Sequence, residues 1–287
     1  MKFVSYQAPA GSRVAGLRGS ELVDVNAADP LLPTTLKELV ALGPDGLAKA
    51  AAAVAKGKPI SGKVQIVAPI PDPQKVICVG LNYADHAKES GQEPPPEPVF
   101  FCKFPTAVSA HEQAIVLPRV SSQVDYEAEL VVVIGLGGRN IPRERALQHV
   151  AGYCPGHDVS ARDWQLNKPG KQWLLGKTFD TFAPFGPAMT TSDEVGDPGR
   201  LQIQLRINGT TLQNSSTEQL IFKIDELVAY VSQVCTLLPG DVIFTGTPPG
   251  VGAARKPPIF MKPGDVVEVE IEKLGTLRNT CVAESGA

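Results

Sequence analysis

The chain has 287 residues, with 30 acidic against 27 basic side chains and a formal net charge of −3 at pH 7. Both signs are spread along the sequence, which speaks against a nucleic-acid surface or a polybasic membrane anchor. Apolar runs such as those at 130–135 and 242–244 fall far short of the roughly 20 residues a membrane helix needs, so the expected partner is a small molecule.

The opening MKFVSYQAP has neither the apolar run of a signal peptide nor the Arg/Ser-rich pattern of a transit peptide, so a cytoplasmic chain is expected. The first seventy residues read as a small α/β module. Short strand-like pieces lie around Phe3 and over 22–25, and a helical pattern rich in Ala, Leu and Lys covers 35–54 until Gly57, Pro59 and Gly62 end it. The segment APIPDP at 68–73 favours extended backbone and marks a boundary, dividing the chain into 1–70 and a catalytic domain over 71–287.

Beyond the boundary, β-branched apolar runs at 75–79, 129–134, 201–207, 240–244 and 266–271 alternate with Gly/Pro turns. Asn208-Gly209 tolerates the positive φ of a type I′ turn and predicts a hairpin. Helical patterns fall at 83–90, 143–149 and 223–234, and EPPPEP at 93–98 reads as a stiff surface loop. The expected class is α+β and β-rich. The five cysteines are far apart and form no C-x-x-C pair, so neither a disulfide framework nor structural zinc is expected.

Several segments carry chemistry-bearing residues, each with a bland alternative. In GLNYADHAKES, Asn82 fits a helix N-cap, and His86 and Glu89 fall at i and i+3. A carboxylate there would orient an imidazole base, while a surface ion pair is the other reading. In DYEAELVVVIG, Glu127 and Glu129 are two apart in a strand pattern and point to one face. They are the polar face of a half-exposed strand or, because 130–134 is apolar on both faces, a buried pair that a hard divalent cation would compensate.

In GHDVSARDWQ, Asp158 ends a strand pattern and is either turn chemistry or a third ligand, and Ser160 to Asp163 fits a capping-box spacing. Arg162 and Gln165 share a helical face, as a carboxylate-binding fork beside an amide or as a solvated ion pair. Lys177 in LLGKTFDTF is a cation between apolar neighbours, whose stem in the bland reading only covers apolar surface. In GDVIFTGTPPGVG a strand runs into a glycine-rich loop, where backbone N–H groups such as that of Gly246, with Thr247, would hold an anion; a plain turn is the alternative.

Taken in order, CVGLNYADHAKE, DYEAEL, HDVSARDWQ, LGKTFDTFAPFGP and GDVIFTGTPPGVG resemble the fumarylacetoacetate hydrolase superfamily from about residue 75 onward. RKPPIFMKPGD and the small amino-terminal module look most like its domain-containing protein 2 branch. The resemblance implies a mixed β-sandwich roll, a homodimer, and a Mg²⁺ or Mn²⁺ ion held by Glu127, Glu129 and Asp158. It also implies a base dyad of His86 and Glu89 on a lid, with Arg162, Gln165, Lys177 and Thr247 holding or polarising a small 2-oxo acid.

Two departures stand out. Leu81 replaces an arginine common in acylpyruvate-hydrolysing members, and no extra aspartate ligand of the kind fumarylacetoacetase uses is found. The expected reaction is metal-dependent cleavage of the C–C bond of a 2,4-dioxo acid through a stabilised enolate. Oxaloacetate tautomerisation or decarboxylation at the same site is the alternative, and a catalytically silent binder is the third reading.

Overall fold

Strands begin at the first turn of chain. In the computed structural model, which describes residues 1–89, 91 and 93–285, β1 (Lys2–Ala8), β2 (Gly11–Arg18) and β3 (Glu21–Asp24) form an antiparallel meander. The helical pattern yields two helices, α1 (Leu36–Ala41) and α2 (Gly43–Lys56), because the chain turns at Leu42 instead of continuing. Thr35 caps α1 by accepting from the Glu38 amide at 3.2 Å, satisfying one of the donors a helix start leaves free. Leu36, Leu39, Val40, Ala50 and Val54 bury their apolar stripe in one core with Phe3, Val14 and Val23.

After β4 (Gln65–Val67) and the proline-rich segment come β5 (Val76–Gly80), α3 (Ala84–Glu89), β6 (Val99–Lys103), β7 (Ile115–Leu117), β8 (Ala128–Ile134) and β9 (Val150–His157). Ser90, the expected end of the helix at 83–90, and residues 286 and 287 of the 71–287 span lie outside the described residues. Two short helices follow, α4 (Arg162–Leu166) and α5 (Leu174–Lys177), then β10 (Met189–Thr191), β11 (Gln202–Ile207) and β12 (Thr210–Ser216). The chain continues through α6 (Ile224–Val234), β13 (Val242–Phe244), β14 (Val266–Ile271) and β15 (Gly275–Ala283). The hairpin forms at Asn208 and Gly209, with φ of 51° and 78°.

One ten-stranded sheet runs β3-β2-β1-β10-β9-β8-β13-β5-β6, with β4 added against β1. A five-stranded sheet runs β12-β11-β14-β15-β7. The two make a mixed β-sandwich roll. Because β1 pairs with β10, residues on either side of the proline-rich boundary share one sheet.

Strand β8 lies at the centre and is buried along its whole length. Leu130, Val132 and Ile134 join the core that also holds Ile203, Leu205, Val267 and Leu277 of the smaller sheet. Val131 and Val133 join the core beneath α1 and α2. Alternation across two cores explains why the run is apolar on both faces, and the charged residues that precede it are carried inside. Among the described residues no helix is long and apolar enough to cross a membrane.

Candidate metal centre and active site

Glu129 is the second residue of β8, whereas Glu127 lies outside it, between the short strand Val124–Asp125 and β8. The same-face rule for a strand therefore does not by itself bring the pair together. Register supplies the rest: Ala128 pairs with His157, and the Asp158 amide donates to the Glu127 carbonyl at 3.0 Å. The end of β9 is thereby pinned beside the start of β8. Glu127, Glu129 and Asp158 each offer one oxygen within 4.8 Å of the others, and all three are buried. Asp158 is thus a member of a carboxylate triad as well as a turn residue.

Three buried cations face these acids. The Lys177 ammonium donates to Glu127 at 2.8 Å and to Asp158 at 3.0 Å. Arg162 is engaged at all three nitrogens, with Nε on Asp125 at 2.8 Å, Nη1 on Gln165 Oε1 at 2.8 Å and Nη2 on Glu127 at 2.7 Å. Lys103 sits 2.6 Å from Asp158 Oδ1 and donates to the carbonyls of Val159 at 2.9 Å and Phe182 at 2.6 Å. Asp158 Oδ1 accepts no directed hydrogen bond, so the Lys103 contact is an ion contact only.

Local packing sets these positions. Gly176 lets α5 lie against α4, since a Cβ there would stand 2.5 Å from the Gln165 amide nitrogen and 2.6 Å from its Cα. That close approach puts Lys177 next to the Arg162–Gln165 face.

Electrostatics separate the two glutamates. Burial opposes ionisation of Glu127, but Lys177 and Arg162 hold its carboxyl well below the ordinary range. Burial pushes Glu129 well above that range, aided by Asp158 and Glu127, and the 2.7 Å hydrogen bond from the Gly246 amide does not reverse this. Burial also disfavours charge on Lys177, yet Asp158 and Glu127 raise its pKa. Burial and the nearby Lys103 pull the imidazole of His157 down to about 3, so it is neutral among these charges.

Four clustered carboxylates, counting Asp125, thus face three cations. A cation at the triad would relieve the repulsion that adds to burial in pushing Glu129 toward its neutral form. All-oxygen donors fit a hard ion such as Mg²⁺ or Mn²⁺.

The helix α3 brings His86 and Glu89 over the same cavity of about 440 Å³, which Glu127, Glu129, Arg162, Gln165, Lys177 and Thr247 also line. His86 Nδ1 is 3.2 Å from Glu89, whose carboxylate accepts from the Gly250 amide at 3.0 and 3.1 Å. The glycine-rich loop therefore anchors the dyad and, through Gly246, a triad carboxylate. Asn82 is a clamp instead of the expected cap: it donates to the carbonyls of Phe222 at 3.2 Å and Thr245 at 2.8 Å, and accepts from the Phe222 amide at 2.8 Å. Ser160 and Asp163 form no capping box either, because Ser160 donates to the Asp158 carbonyl and Asp163 accepts from Ser121.

Sequence reasoning missed Lys103, Asp125 and Gln213. Asp125 anchors Arg162 and accepts from the Gly252 and Ala253 amides. Gln213 accepts from the Ala128 amide and donates to Thr247 Oγ1 at 2.9 Å, leaving the threonine's own proton free to donate.

The family model for fumarylacetoacetate (FAA) hydrolase C-terminal matches residues 75–282. A Bos taurus protein named oxaloacetate tautomerase FAHD2A, mitochondrial, is 49% identical over 289 residues, covering 98% of this chain and 92% of its own. A Dictyostelium discoideum fumarylacetoacetate hydrolase domain-containing protein 2 homolog is 45% identical over 296 residues, covering 97% of this chain and 96% of its own. The solved structure of maleylpyruvate hydrolase from Sphingobium is similar with a TM-score of 0.81 at 32% identity, covering 99% of this chain and 100% of the other. The expected cytoplasmic location is corrected by the Bos taurus relative, whose name places it in mitochondria. The opening residues on which that expectation rested form β1 of the fold.

Proposed function

The chain belongs to the fumarylacetoacetate hydrolase superfamily and is most like its domain-containing protein 2 branch, and from that premise we propose that it is a divalent-metal-dependent keto–enol tautomerase of oxaloacetate. The observation that carries this reading is one cavity lined by Glu127, Glu129, the Lys177 ammonium and a carboxylate-oriented imidazole, with Asp158 completing the buried carboxylate triad. The 49% identity to a protein named oxaloacetate tautomerase supports the substrate. Homodimerisation and the choice of Mg²⁺ or Mn²⁺ belong to the same proposal.

Glu127, Glu129 and Asp158 would hold the ion, which when bound supplies Lewis acidity toward a 2-oxo acid. Lys177 and the Gln165 amide donate to the C2 oxygen as it gains negative charge. Thr247, which accepts from Gln213 with one of its two lone pairs, donates its own proton to a substrate oxygen. His86, oriented by Glu89, hands the proton to C3 or removes it. Ketonisation adds one proton at C3 and releases the enol hydroxyl proton, so no water is consumed.

The hydrolase reading keeps the same floor of the site and lets His86 activate water against a 4-oxo group. The structural likeness to maleylpyruvate hydrolase favours it. Purified protein with Mg²⁺ is expected to accelerate ketonisation of enol-oxaloacetate and to release little pyruvate from acylpyruvates or from oxaloacetate itself. Faster pyruvate release than ketonisation would replace the tautomerase reading with the hydrolase or decarboxylase one.

A further inference from the structure

The cavity is lined by two unlike sets of residues. Beside the charged residues, the lining includes Leu81, Phe101, Leu166, Trp173, Val251 and Ala254. Phe101 and Trp173 meet edge to face, with ring centroids 5.5 Å apart and planes at 76°. The Lys177 ammonium lies 5.1 Å from the Phe101 ring centroid, so the aromatic wall begins where the enolate-binding cation ends. Gly80 makes room for the indole, because a Cβ at that position would stand 2.3 Å from it.

Charge accounting then separates substrate classes. Among the described residues lining the cavity, the lysines and arginines are Arg162 and Lys177, and both already face buried carboxylates. The apolar residues offer a second carboxylate, such as that of oxaloacetate, no counter-ion, so any gain from contact with them belongs to an uncharged distal group. A flat apolar ring in contact with Phe101 and Trp173 removes apolar surface from water.

We propose that this site also ketonises the enols of arylpyruvates, 2-oxo acids whose C3 carries an aromatic ring, with the ring seated against Phe101 and Trp173. The inference rests on the tautomerase reading and uses its proton transfer. The enol O–H bond breaks and its proton goes to solvent, the C2–C3 π pair takes a proton from His86 to form a C3–H bond, and C2–O becomes a carbonyl. No electrons enter or leave.

The test follows enol absorbance of phenylpyruvate and of oxaloacetate with Mg²⁺-loaded wild type, Trp173→Ala and Trp173→Phe. Wild type is expected to ketonise both. Trp173→Ala is expected to lower kcat/KM for phenylpyruvate about tenfold while changing that for oxaloacetate less than about twofold, and Trp173→Phe to retain the aryl activity. Keto-phenylpyruvate is expected to quench indole fluorescence saturably in wild type and to lose most of that quench in Trp173→Phe. Turnover of oxaloacetate without turnover of phenylpyruvate overturns the proposal and leaves the tautomerase reading standing. Turnover of neither overturns both. An equal fall for both substrates in Trp173→Ala marks a merely structural indole and overturns the assigned ring seat.

Discussion

Arg162 Nη1 lies 2.8 Å from Gln165 Oε1, and because a guanidinium can only donate, this contact fixes which way round the amide stands. Gln165 Nε2 is thereby left as the end available to a ligand. Gln165→Glu keeps the shape, pairs with Arg162 and removes the donor. The expected result is a fall in kcat for ketonisation of about a hundredfold with KM little changed. Steady-state kinetics on enol-oxaloacetate decide it, and an unaltered kcat would remove Gln165 from the reaction.

The two glutamates of the triad are expected to respond differently to amide replacement. Glu129 already leans toward its neutral form, so Glu129→Gln is expected to change the stability of the metal-free protein by less than about 1 kcal/mol. Glu127→Gln takes the partner from Lys177 and Arg162 and is expected to cost about 3–5 kcal/mol. Urea unfolding in the presence of a chelator measures both, and equal losses would contradict the charge distribution derived above.

Metal removal and return give a second readout of the same centre. With Mg²⁺ at about a hundredfold over its dissociation constant, linkage adds about 2.7 kcal/mol to stability. A rise in Tm on adding Mg²⁺ to chelated wild type, absent in Glu129→Gln, is the expected pattern. A rise that persists in the variant would place the ion elsewhere.

Lys103→Met tests a residue outside the expected set. It leaves Asp158 and two buried carbonyls facing a methyl group, and a loss of about 3–5 kcal/mol is expected in urea melts. Lys103→Arg, which keeps the charge but not the shape, is expected to recover part of that loss. Full stability in Lys103→Met would show that Lys177 alone suffices to balance Asp158.

Far from the site, Asp24 governs part of the acid response. Burial opposes its charge, but hydrogen bonds from Arg13 at 2.6 and 2.7 Å, Tyr6 at 2.6 Å and the Ala27 amide at 2.6 Å lower its pKa. A folded pKa below the unfolded one means that the unfolded chain binds more protons across that interval. The stabilisation is therefore complete above the unfolded carboxylate pKa of roughly 4 and is lost as pH falls through the lower folded value. Asp24→Asn is expected to be less stable by about 1–3 kcal/mol at neutral pH, with the gap to wild type closing under acid. A gap independent of pH in denaturant melts would exclude an ionic origin.

The segments that carry dense local signals were legible. The hairpin at Asn208 follows from two residues that accept positive φ, and the central strand β8 from an unbroken apolar run. The relation between Glu127 and Asp158 was legible only as a resemblance, because it depends on the register of β8 against β9, which no spacing within either segment records. Lys103 was not legible: a lysine ending an apolar strand reads as a surface-seeking side chain until Asp158, 55 positions on, is placed beside it. Asn82 misled for the opposite reason, since its local surroundings suit a helix cap while Phe222 and Thr245 claim its amide. The break at Leu42 did carry a local signal, Gly43-Pro44, which the Ala- and Leu-rich pattern around it outweighed.

Strand β1, hydrogen-bonded to β10, makes the molecule hard to shorten. The region matched by the family model begins at residue 75, which makes that position the obvious place to trim the chain. Such a cut strips a neighbour from Met189–Thr191, uncovers the apolar underside that α1 and α2 shield, and turns an interior strand into an adhesive border. A polypeptide in water cannot discard that first module without becoming a template for its own precipitation.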